Sequence, residues 1–179
     1  GEKRGAFGFT EPDSAPRPTY AVVDGDDLLV TGIKSYVTGG ATADFVSILV
    51  NVEDADGGKL GTAMVAVDRL ASGVTIDREF SSMEGGGHVS MKFEQVRVSK
   101  EDVIGKIGEG MPRALGNIDI VRLMVSAQAM GMCLFVLDYV ENHLKAPHRS
   151  GSPLGAREGV RLRYADMRIE TYVARSALY

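Results

Sequence analysis

The histidines and the single cysteine are natural starting points for chemistry, because imidazole and thiolate groups bind metals and act as acids, bases or nucleophiles. His88, His143 and His148 fall on a predicted strand, a predicted helix and a predicted loop, without the close spacing of metal ligands. Cys133 stands among methionine, leucine and phenylalanine residues. We therefore assign no metal site and predict a buried thiol in a reducing compartment rather than a disulfide.

One acidic and one basic residue have helical spacing. Asp119 and Arg122 lie three residues apart in a segment with helical periodicity, so their side chains can form a local ion pair. Such pairs contribute little to stability when they are solvated. Spacing alone leaves open whether this pair faces solvent or a ligand.

Aromatic and hydroxyl residues occur together in two short segments that span residues 7–12 and 32–40. Hydroxyl groups can donate to the heteroatoms of a ligand, and aromatic faces can pack on a planar ring. Taken alone, these side chains are more typical of core aromatics and strand ends. The residues concerned are Phe7, Phe9, Thr10, Tyr36 and Thr38.

The elements that must position these residues change in character near residue 105. Up to that point, short apolar or alternating runs are separated by turn residues, as in antiparallel strands. The Asp-Gly-Asp-Asp sequence at 24–27 is a typical hairpin turn, and Asp-Gly-Gly at 56–58 predicts a second hairpin between the runs at 45–52 and 61–67. We predict a domain over residues 1–105 that forms an antiparallel β-barrel or sandwich. Its strands are predicted around residues 21–23, 28–30, 45–52, 61–67 and 89–93.

Beyond residue 105 the apolar residues recur every three or four positions, which predicts helices. The first helix is predicted over 111–145, about 50 Å long at roughly 1.5 Å per residue. Glycine, serine and proline residues at 146–155 predict a loop, and a second helix follows from about residue 156. The fold class is therefore α+β. We predict a second domain over 106–179 that begins as a two-helix antiparallel hairpin, part of a four-helix bundle.

The predicted hairpin cannot bury both of its apolar stripes against itself. We expect further helices or a partner subunit to cover them, in a homo- or hetero-oligomer. The chain has no initiator methionine, and its last helical pattern runs to Tyr179 without a glycine or proline stop signal. We interpret it as a piece of a larger protein.

Composition favours a globular protein that binds small molecules. With 44% hydrophobic and 25% charged residues, the chain can form a core and is not predicted to be disordered. The net charge of -4 provides no basic surface for nucleic acid or anionic membranes. No apolar stretch approaches the roughly 20 residues that span a bilayer, and no signal peptide is visible. We expect a cytoplasmic protein that is not associated with membranes.

Several short motifs, in a fixed order, resemble the acyl-CoA dehydrogenase family. Residues 7–12 read Phe-Gly-Phe-Thr-Glu-Pro and residues 32–40 read Gly-Ile-Lys-Ser-Tyr-Val-Thr-Gly-Gly. The family has an aromatic-x-x-Thr-Glu-Pro stretch and, at about this interval, a Gly-x-Lys-x-Trp-Ile-Thr-Asn stretch. The similarity continues through 93–98 and through Gly-Glu-Gly-Met at 108–111. It covers essentially the whole chain and implies the central β-domain plus the first two helices of the C-terminal helical domain.

This resemblance implies that FAD is the cofactor, with the β-domain on one side of the flavin. Phe7, Phe9 and Thr10 would hold the edge of the isoalloxazine ring, partly through main-chain groups. Thr38 would form a hydrogen bond near flavin N5, and Tyr36 replaces the family's tryptophan beside the ring. Fixed donors at this edge stabilise the charge that a flavin gains when it accepts a hydride.

The resemblance also implies an acyl-CoA substrate that is oxidised between Cα and Cβ. Asp119 and Arg122 match an acidic and basic pair that family members place near the acyl-CoA at the active-site entrance. The family's catalytic base is a glutamate that in most members lies beyond the position of Tyr179. We therefore assign no catalytic residue within these 179 residues.

Several departures from the family pattern affect ligand contacts. Pro16 stands where the family has a serine that contacts flavin and thioester, and Glu84 and Glu158 replace an arginine and a glutamine. The family's Arg-x-x-Phe-Gly turn, which reaches the FAD of the neighbouring subunit, is lost here. Arg149 could supply the missing cation from two positions away. A carboxylate facing a pyrophosphate would repel it.

Three functions stay open at this point. The first is an FAD-dependent acyl-CoA dehydrogenase, an oxidoreductase of fatty acid metabolism. The second is a flavin-dependent monooxygenase of the same fold, which would still need flavin-edge contacts such as Thr10 and Thr38. The third is a non-catalytic partner subunit with a degraded FAD site, which the departures favour.

Overall fold

The computed structural model describes residues 1–83 and 87–179. These residues form two compact units, Gly1–Gly116 and Asn117–Tyr179. The first unit contains an eight-stranded sheet. Its strands are β1 (Gly5–Gly8), β2 (Tyr20–Asp24), β3 (Asp27–Thr38), β4 (Phe45–Glu53), β5 (Lys59–Asp68), β6 (Val74–Phe80), β7 (His88–Ser99) and β8 (Val103–Ile104).

Most neighbouring strands pair antiparallel, as predicted, but the sheet is mixed. Strand β4 pairs in parallel with β1 along one stretch and with β2 along another. The chain path explains this. Strand β3 returns antiparallel to β2, and β4 then comes back beside β2 because β7 occupies the other edge of β3.

The prediction of a barrel is wrong, because the sheet does not close. The strand order is β6-β7-β3-β2-β4-β5-β8, and within the described ranges no pairing joins β6 to β8. Strand β8 has only two residues, and β6 is largely exposed to solvent. A very short strand and a solvated polar strand are common ways to end a sheet without closing it.

The predicted hairpins are confirmed. Asp24 pairs with Asp27 across the β2–β3 turn, where the φ of 60° at Gly25 suits glycine. Asp54 closes the β4–β5 turn, since its Oδ1 accepts the main-chain N–H groups of Asp56 and Gly58 at 3.0 and 2.7 Å. Turn chemistry of this kind is local, and the sequence therefore predicts it well.

Alternating residues of the strands form one apolar core. Val30, Ile48, Val65 and Phe93 are almost completely buried in it. Burial of an apolar side chain of this size contributes about 1.5–3 kcal/mol relative to exposure. The core lies on one face of the sheet and fixes the register of each strand, because a slip by one residue would expose its apolar set.

The two predicted helices are present. Helix α1 (Gly110–Lys145) has 36 residues, and helix α2 (Glu158–Leu178) has 21. Helix α2 begins two residues later than predicted because residues 154–156 form a turn of 3-10 helix. The start of α1 belongs to the first unit, where Ala114 is buried with Leu49 and Met64 of the sheet.

In the second unit, Tyr164 connects the two helices. Its hydroxyl lies 2.8 Å from Glu141 Oε2 and 3.3 Å from the carbonyl oxygen of Leu137. Met132 and Met167 line a common cavity nearer the start of α1. The two helices therefore run antiparallel, as predicted, and the four-helix bundle stays a prediction.

Much of the apolar surface of α1 is exposed within this chain, including Leu123, Val125, Met132 and Phe135. By length and composition α1 is apolar enough to cross a membrane, which corrects the expectation that no such stretch exists. Serine, glutamine and glycine residues interrupt the pattern without lowering its average hydropathy much. One such helix is weak evidence for a membrane, because the core helix of a soluble protein passes the same test.

We predict that these exposed faces make the purified chain associate with a second copy. Apolar patches of several hundred Å² usually mark interfaces. Phe135→Asp, in the middle of the exposed face, is expected to shift the chain toward monomer in sedimentation velocity. Asn142→Asp, on an exposed polar position of the same helix, adds the same charge and serves as the control. A clean monomer at micromolar concentration for the unmodified chain would contradict the prediction.

Candidate functional site

The structure brings the two predicted segments together. The main-chain N–H of Ser35 donates to the carbonyl oxygen of Thr10 at 2.7 Å, beyond the end of β1. Thr10 therefore lies beside the final residues of β3, the strand that carries Tyr36 and Thr38. We define the β3-end surface as Thr10, Tyr36, Thr38 and His88, the last of which is paired with Thr38 from β7.

An irregularity in β3 turns Tyr36 toward solvent. The register with β7 shifts between Lys34 and Val37, as at a β-bulge. Tyr36 has a φ of 56°, a left-handed conformation that is rare for an aromatic residue. Such strain costs about 1–3 kcal/mol and is concentrated at functional sites. The Tyr36 ring is 60% exposed and stacks on Phe80, with ring centroids 4.7 Å apart.

Thr38 has a side-chain partner that the sequence did not reveal. Its Oγ1 lies 2.9 Å from Nδ1 of His88, the residue directly opposite it in the β3–β7 ladder. His88 had been placed on a strand and given no role. The two residues are 50 positions apart, so only the pairing of β3 with β7 could have revealed the contact.

A buried ion pair holds the Thr10 segment against β3. Lys34 is almost fully buried, and its Nζ lies 2.6 Å from Oε1 of Glu11 and 3.3 Å from the carbonyl oxygen of Phe9. The same carboxylate oxygen accepts the main-chain N–H of Thr19 at 2.9 Å. Lys34 and Glu11 belong to the two family-like motifs, where sequence reasoning gave neither of them a function.

The ionisation of this pair follows from burial and hydrogen bonding. Burial lowers the pKa of Lys34 below its ordinary value, and the neighbouring Glu11 offsets only part of that effect. For Glu11 burial acts to raise the pKa, but the hydrogen bonds from Lys34 and Thr19 outweigh it and hold the pKa below its ordinary value. The lowered pKa of Glu11 favours its carboxylate form, whereas the lowered pKa of Lys34 shows that burial opposes its charged form.

The Phe7 and Phe9 rings take part in core packing. They stack with centroids 6.3 Å apart and pack against the cluster of Leu49, Met64 and Ala114. Their side chains therefore support the first turns of α1. The flavin contact predicted for this segment stays a prediction that rests on the main-chain groups and on Thr10, which is exposed.

The other predicted ligand contacts belong to the second unit. Asp119 and Arg122 form the expected local pair, with Oδ1 and Nη1 3.5 Å apart and both side chains more than 70% exposed. Arg149 lies exposed in the loop between α1 and α2. Cys133 is half-buried rather than buried, because the face of α1 on which it lies is only partly covered by α2.

Of the residues that depart from the family pattern, Pro16 and Glu158 are exposed, and Glu84 lies outside the described residues. Pro16 lies in the segment between β1 and β2, and Glu158 is the first residue of α2. Neither residue is held by core packing. Substitution at either position therefore changes the surface rather than the fold.

The β3-end surface offers the kinds of group that the edge of a flavin ring would need. It presents two exposed hydroxyl groups, Thr10 and Thr38, and beside them an aromatic ring that is more than half exposed. Hydroxyl donors and acceptors suit the N5 region of isoalloxazine, and the aromatic ring suits its plane. Tyr36 and Thr38 lie on β3, and the buried Lys34–Glu11 pair holds the segment of Thr10 against that strand, as a preorganised site requires.

Comparisons with known proteins agree with this fold. The family model described as "Acyl-CoA dehydrogenase, C-terminal domain" matches residues 108–179. The structure of butyryl-CoA dehydrogenase from Megasphaera elsdenii superposes on 99% of this chain and 48% of its own, with a TM-score of 0.88 and 26% identity. A probable acyl-CoA dehydrogenase from Mycobacterium abscessus gives a TM-score of 0.87 at 27% identity over 99% of this chain and 48% of its own.

Sequence relatives lead to the same class. The short-chain specific acyl-CoA dehydrogenase of Clostridium acetobutylicum is 30% identical over all of this chain and 48% of its own length. The acyl-CoA dehydrogenase of Bacillus subtilis is 27% identical over the same shares. The family model, the sequence relatives and the similar structures all name acyl-CoA dehydrogenases, and together they cover the whole chain. It spans about half the length of the curated relatives it matches.

Proposed function

We propose that this chain forms the flavin-edge half of an acyl-CoA dehydrogenase that oxidises an acyl-CoA thioester between Cα and Cβ. The observation that carries the proposal is the β3-end surface, where Thr10, Tyr36 and Thr38 come together from two separate motifs. FAD would supply the hydride acceptor when bound. The chain's own residues would bind and orient its ring.

Within this proposal each residue has a defined task. Thr38 donates or accepts a hydrogen bond near flavin N5, and Thr10 holds the ring edge. Tyr36 packs beside the ring plane, with Phe80 stacked on it and fixing its orientation. Asp119 and Arg122 take the acyl-CoA at the entrance, and Arg149 contacts the dinucleotide of a neighbouring subunit. The base that removes the α-proton is not assigned within this chain.

The test is spectroscopic. A protein containing this chain is purified and examined for flavin absorption, then mixed anaerobically with a saturated acyl-CoA. Bleaching of the visible flavin bands by the acyl-CoA supports a dehydrogenase. The monooxygenase is supported if the protein contains flavin that an acyl-CoA does not reduce, and if the protein consumes oxygen when an external reductant is added. Absence of flavin supports a non-catalytic subunit and overturns the proposal.

The non-catalytic subunit deserves a second place because the departures are confined to ligand positions. Pro16 cannot donate a hydrogen bond, and Glu158 brings a carboxylate to a position where the family has an amide. Both residues are exposed, so no packing requirement explains their identity. Loss of ligand contacts with retention of the fold is typical of a subunit that has lost its cofactor.

We predict that the 179-residue chain by itself binds FAD weakly. Two or three lost hydrogen bonds, each contributing about 0.5–1.5 kcal/mol, would weaken binding by roughly one to three orders of magnitude. The double variant Pro16→Ser with Glu158→Gln is expected to regain part of this affinity in equilibrium dialysis. Pro18→Ser, exposed in the same segment, is the control and should not change it. Submicromolar binding by the unmodified chain would show that other groups compensate.

A further inference from the structure

The contact between Thr38 and His88 places an imidazole next to the hydroxyl that we assign to the flavin edge. Thr38 Oγ1 and His88 Nδ1 are 2.9 Å apart. The main chain reinforces their positions, since Thr38 pairs with His88 across β3 and β7 and Gly39 N–H donates to the carbonyl oxygen of Gly87 at 3.3 Å. Side-chain and main-chain contacts therefore both keep Thr38 next to His88.

We propose that His88 is a positioning residue, which fixes the orientation of the Thr38 hydroxyl and so decides which oxidation state of the flavin Thr38 favours. This inference rests on the proposed function, because it concerns the same flavin edge. A hydroxyl has one hydrogen to donate and two lone pairs to accept with.

The two states of a flavin differ at N5. The oxidised ring presents a lone pair there, and the reduced ring presents an N–H, so the first needs a donor and the second an acceptor. When His88 Nδ1 accepts the hydrogen of Thr38, the oxygen of Thr38 can only accept from the ligand. When Nδ1 carries a hydrogen and donates to Thr38, the hydroxyl hydrogen is free to turn toward the ligand.

A threonine without such a neighbour would turn its hydroxyl to suit either state. With His88 in place, one orientation is preferred, and the affinities for oxidised and reduced flavin change relative to each other. A hydrogen bond contributing about 0.5–1.5 kcal/mol corresponds to a two- to tenfold change in the ratio of the two affinities. Steric packing alone would change both affinities together and leave their ratio unaltered.

The experiment compares three replacements of His88 in the flavin-loaded protein. In His88→Asn the amide group takes the place of Nδ1, whereas in His88→Gln it takes the place of Nε2, out of reach of Thr38. His88→Ala removes the contact entirely. Dissociation constants are measured for oxidised FAD in air and for reduced FAD under nitrogen. We expect the ratio to change about two- to tenfold in the alanine and glutamine variants and to be retained in the asparagine variant.

A second measurement needs no flavin. The nitrogen-15 chemical shift of His88 Nδ1 reports its hydrogen bond, and Thr38→Val is expected to change it while Thr10→Val does not. The inference about His88 would be overturned, without affecting the proposed function, by either of two results. One is an unchanged ratio of the dissociation constants for oxidised and reduced FAD in all three His88 variants, and the other is a chemical shift of His88 Nδ1 that does not change in Thr38→Val. Failure of the unmodified protein to bind flavin, with the Nδ1 response intact, would overturn the proposed function and with it the task assigned to His88.

Discussion

Replacing Glu11 by alanine is expected to lower the free energy of unfolding by about 3–5 kcal/mol, because it leaves the buried ammonium group of Lys34 without a partner. Lys34 is almost fully buried, and the carboxylate of Glu11 lies 2.6 Å from its Nζ. A buried charge that loses its counter-ion must either stay desolvated or release its proton. Urea denaturation at neutral pH measures the loss.

Two further variants separate the ion pair from general disruption. Glu11→Leu combined with Lys34→Met removes both charges, and apolar replacement of a buried pair is often nearly neutral. The double variant should therefore be more stable than Glu11→Ala. Asp119→Ala, which breaks an exposed pair, should have no measurable effect. A Glu11→Ala variant as stable as the unmodified chain would contradict the role assigned to the pair.

The dependence of stability on pH tests the Lys34–Glu11 pair independently, at acidic pH. The pKa of Glu11 is held below its ordinary value in the folded chain, although burial acts to raise it, because hydrogen bonds from Lys34 and Thr19 dominate. The unfolded chain therefore binds a proton more readily than the folded one. The stabilisation is present above the unfolded pKa and is lost as pH falls through the folded pKa. Glu11→Ala should lack this component of the acid unfolding curve.

Local signals in the sequence predicted much of the fold. The Asp-Gly-containing turns and the helical periodicity beyond residue 105 depend on neighbours within a few positions, and both hairpins and both helices are present. The parallel pairing of β4 with β1 and β2 was not predictable, because it depends on which strands become neighbours in the sheet and not on residues near β4 in the sequence. The alternation of apolar residues indicates which face of a strand is buried, but it does not indicate which strand lies beside it.

The candidate site was less predictable than the fold. Motif order indicated Thr10, Tyr36 and Thr38, but nothing in the sequence indicated the left-handed conformation of Tyr36 or the contact between Thr38 and His88. Lysine is almost never fully buried without a partner, so the burial of Lys34 cannot be predicted without knowing that Glu11 lies beside it. Each of these features depends on contacts between segments that are distant in the sequence, and such contacts have no signature at short range.

Replacing Gly110 by alanine is expected to destabilise the chain by about 1–3 kcal/mol, the usual cost of overpacking a tight contact. A Cβ atom at Gly110 would lie 2.5 Å from the main-chain nitrogen of Ala63 and 2.6 Å from its Cα. Ala63 is completely buried in β5, so its main chain cannot retreat without disturbing the core. The start of α1 would have to move away from the sheet.

That movement would break the contacts that fasten α1 to β5. Met111 N–H donates to Thr62 Oγ1 at 2.9 Å, and Gly108 N–H donates to the carbonyl oxygen of Thr62 at 2.8 Å. It would also disturb Ala114. This residue is buried with Leu49 and Met64 in the cluster against which Phe7 and Phe9 pack. The variant should therefore weaken flavin binding in addition to lowering stability.

Gly116→Ala is the matched control, since it makes the same change in the same helix. Apart from the adjoining residues and backbone of the helix itself, no atom of the described residues lies within 4 Å of a Cβ at Gly116, so we expect only the effect of alanine's better helix propensity. We expect Gly116→Ala to stabilise the chain by about 0.5–1 kcal/mol while Gly110→Ala destabilises it. Both are measured by urea denaturation under identical conditions. Equal and positive effects of the two substitutions would mean that α1 does not start in direct contact with the β5 main chain.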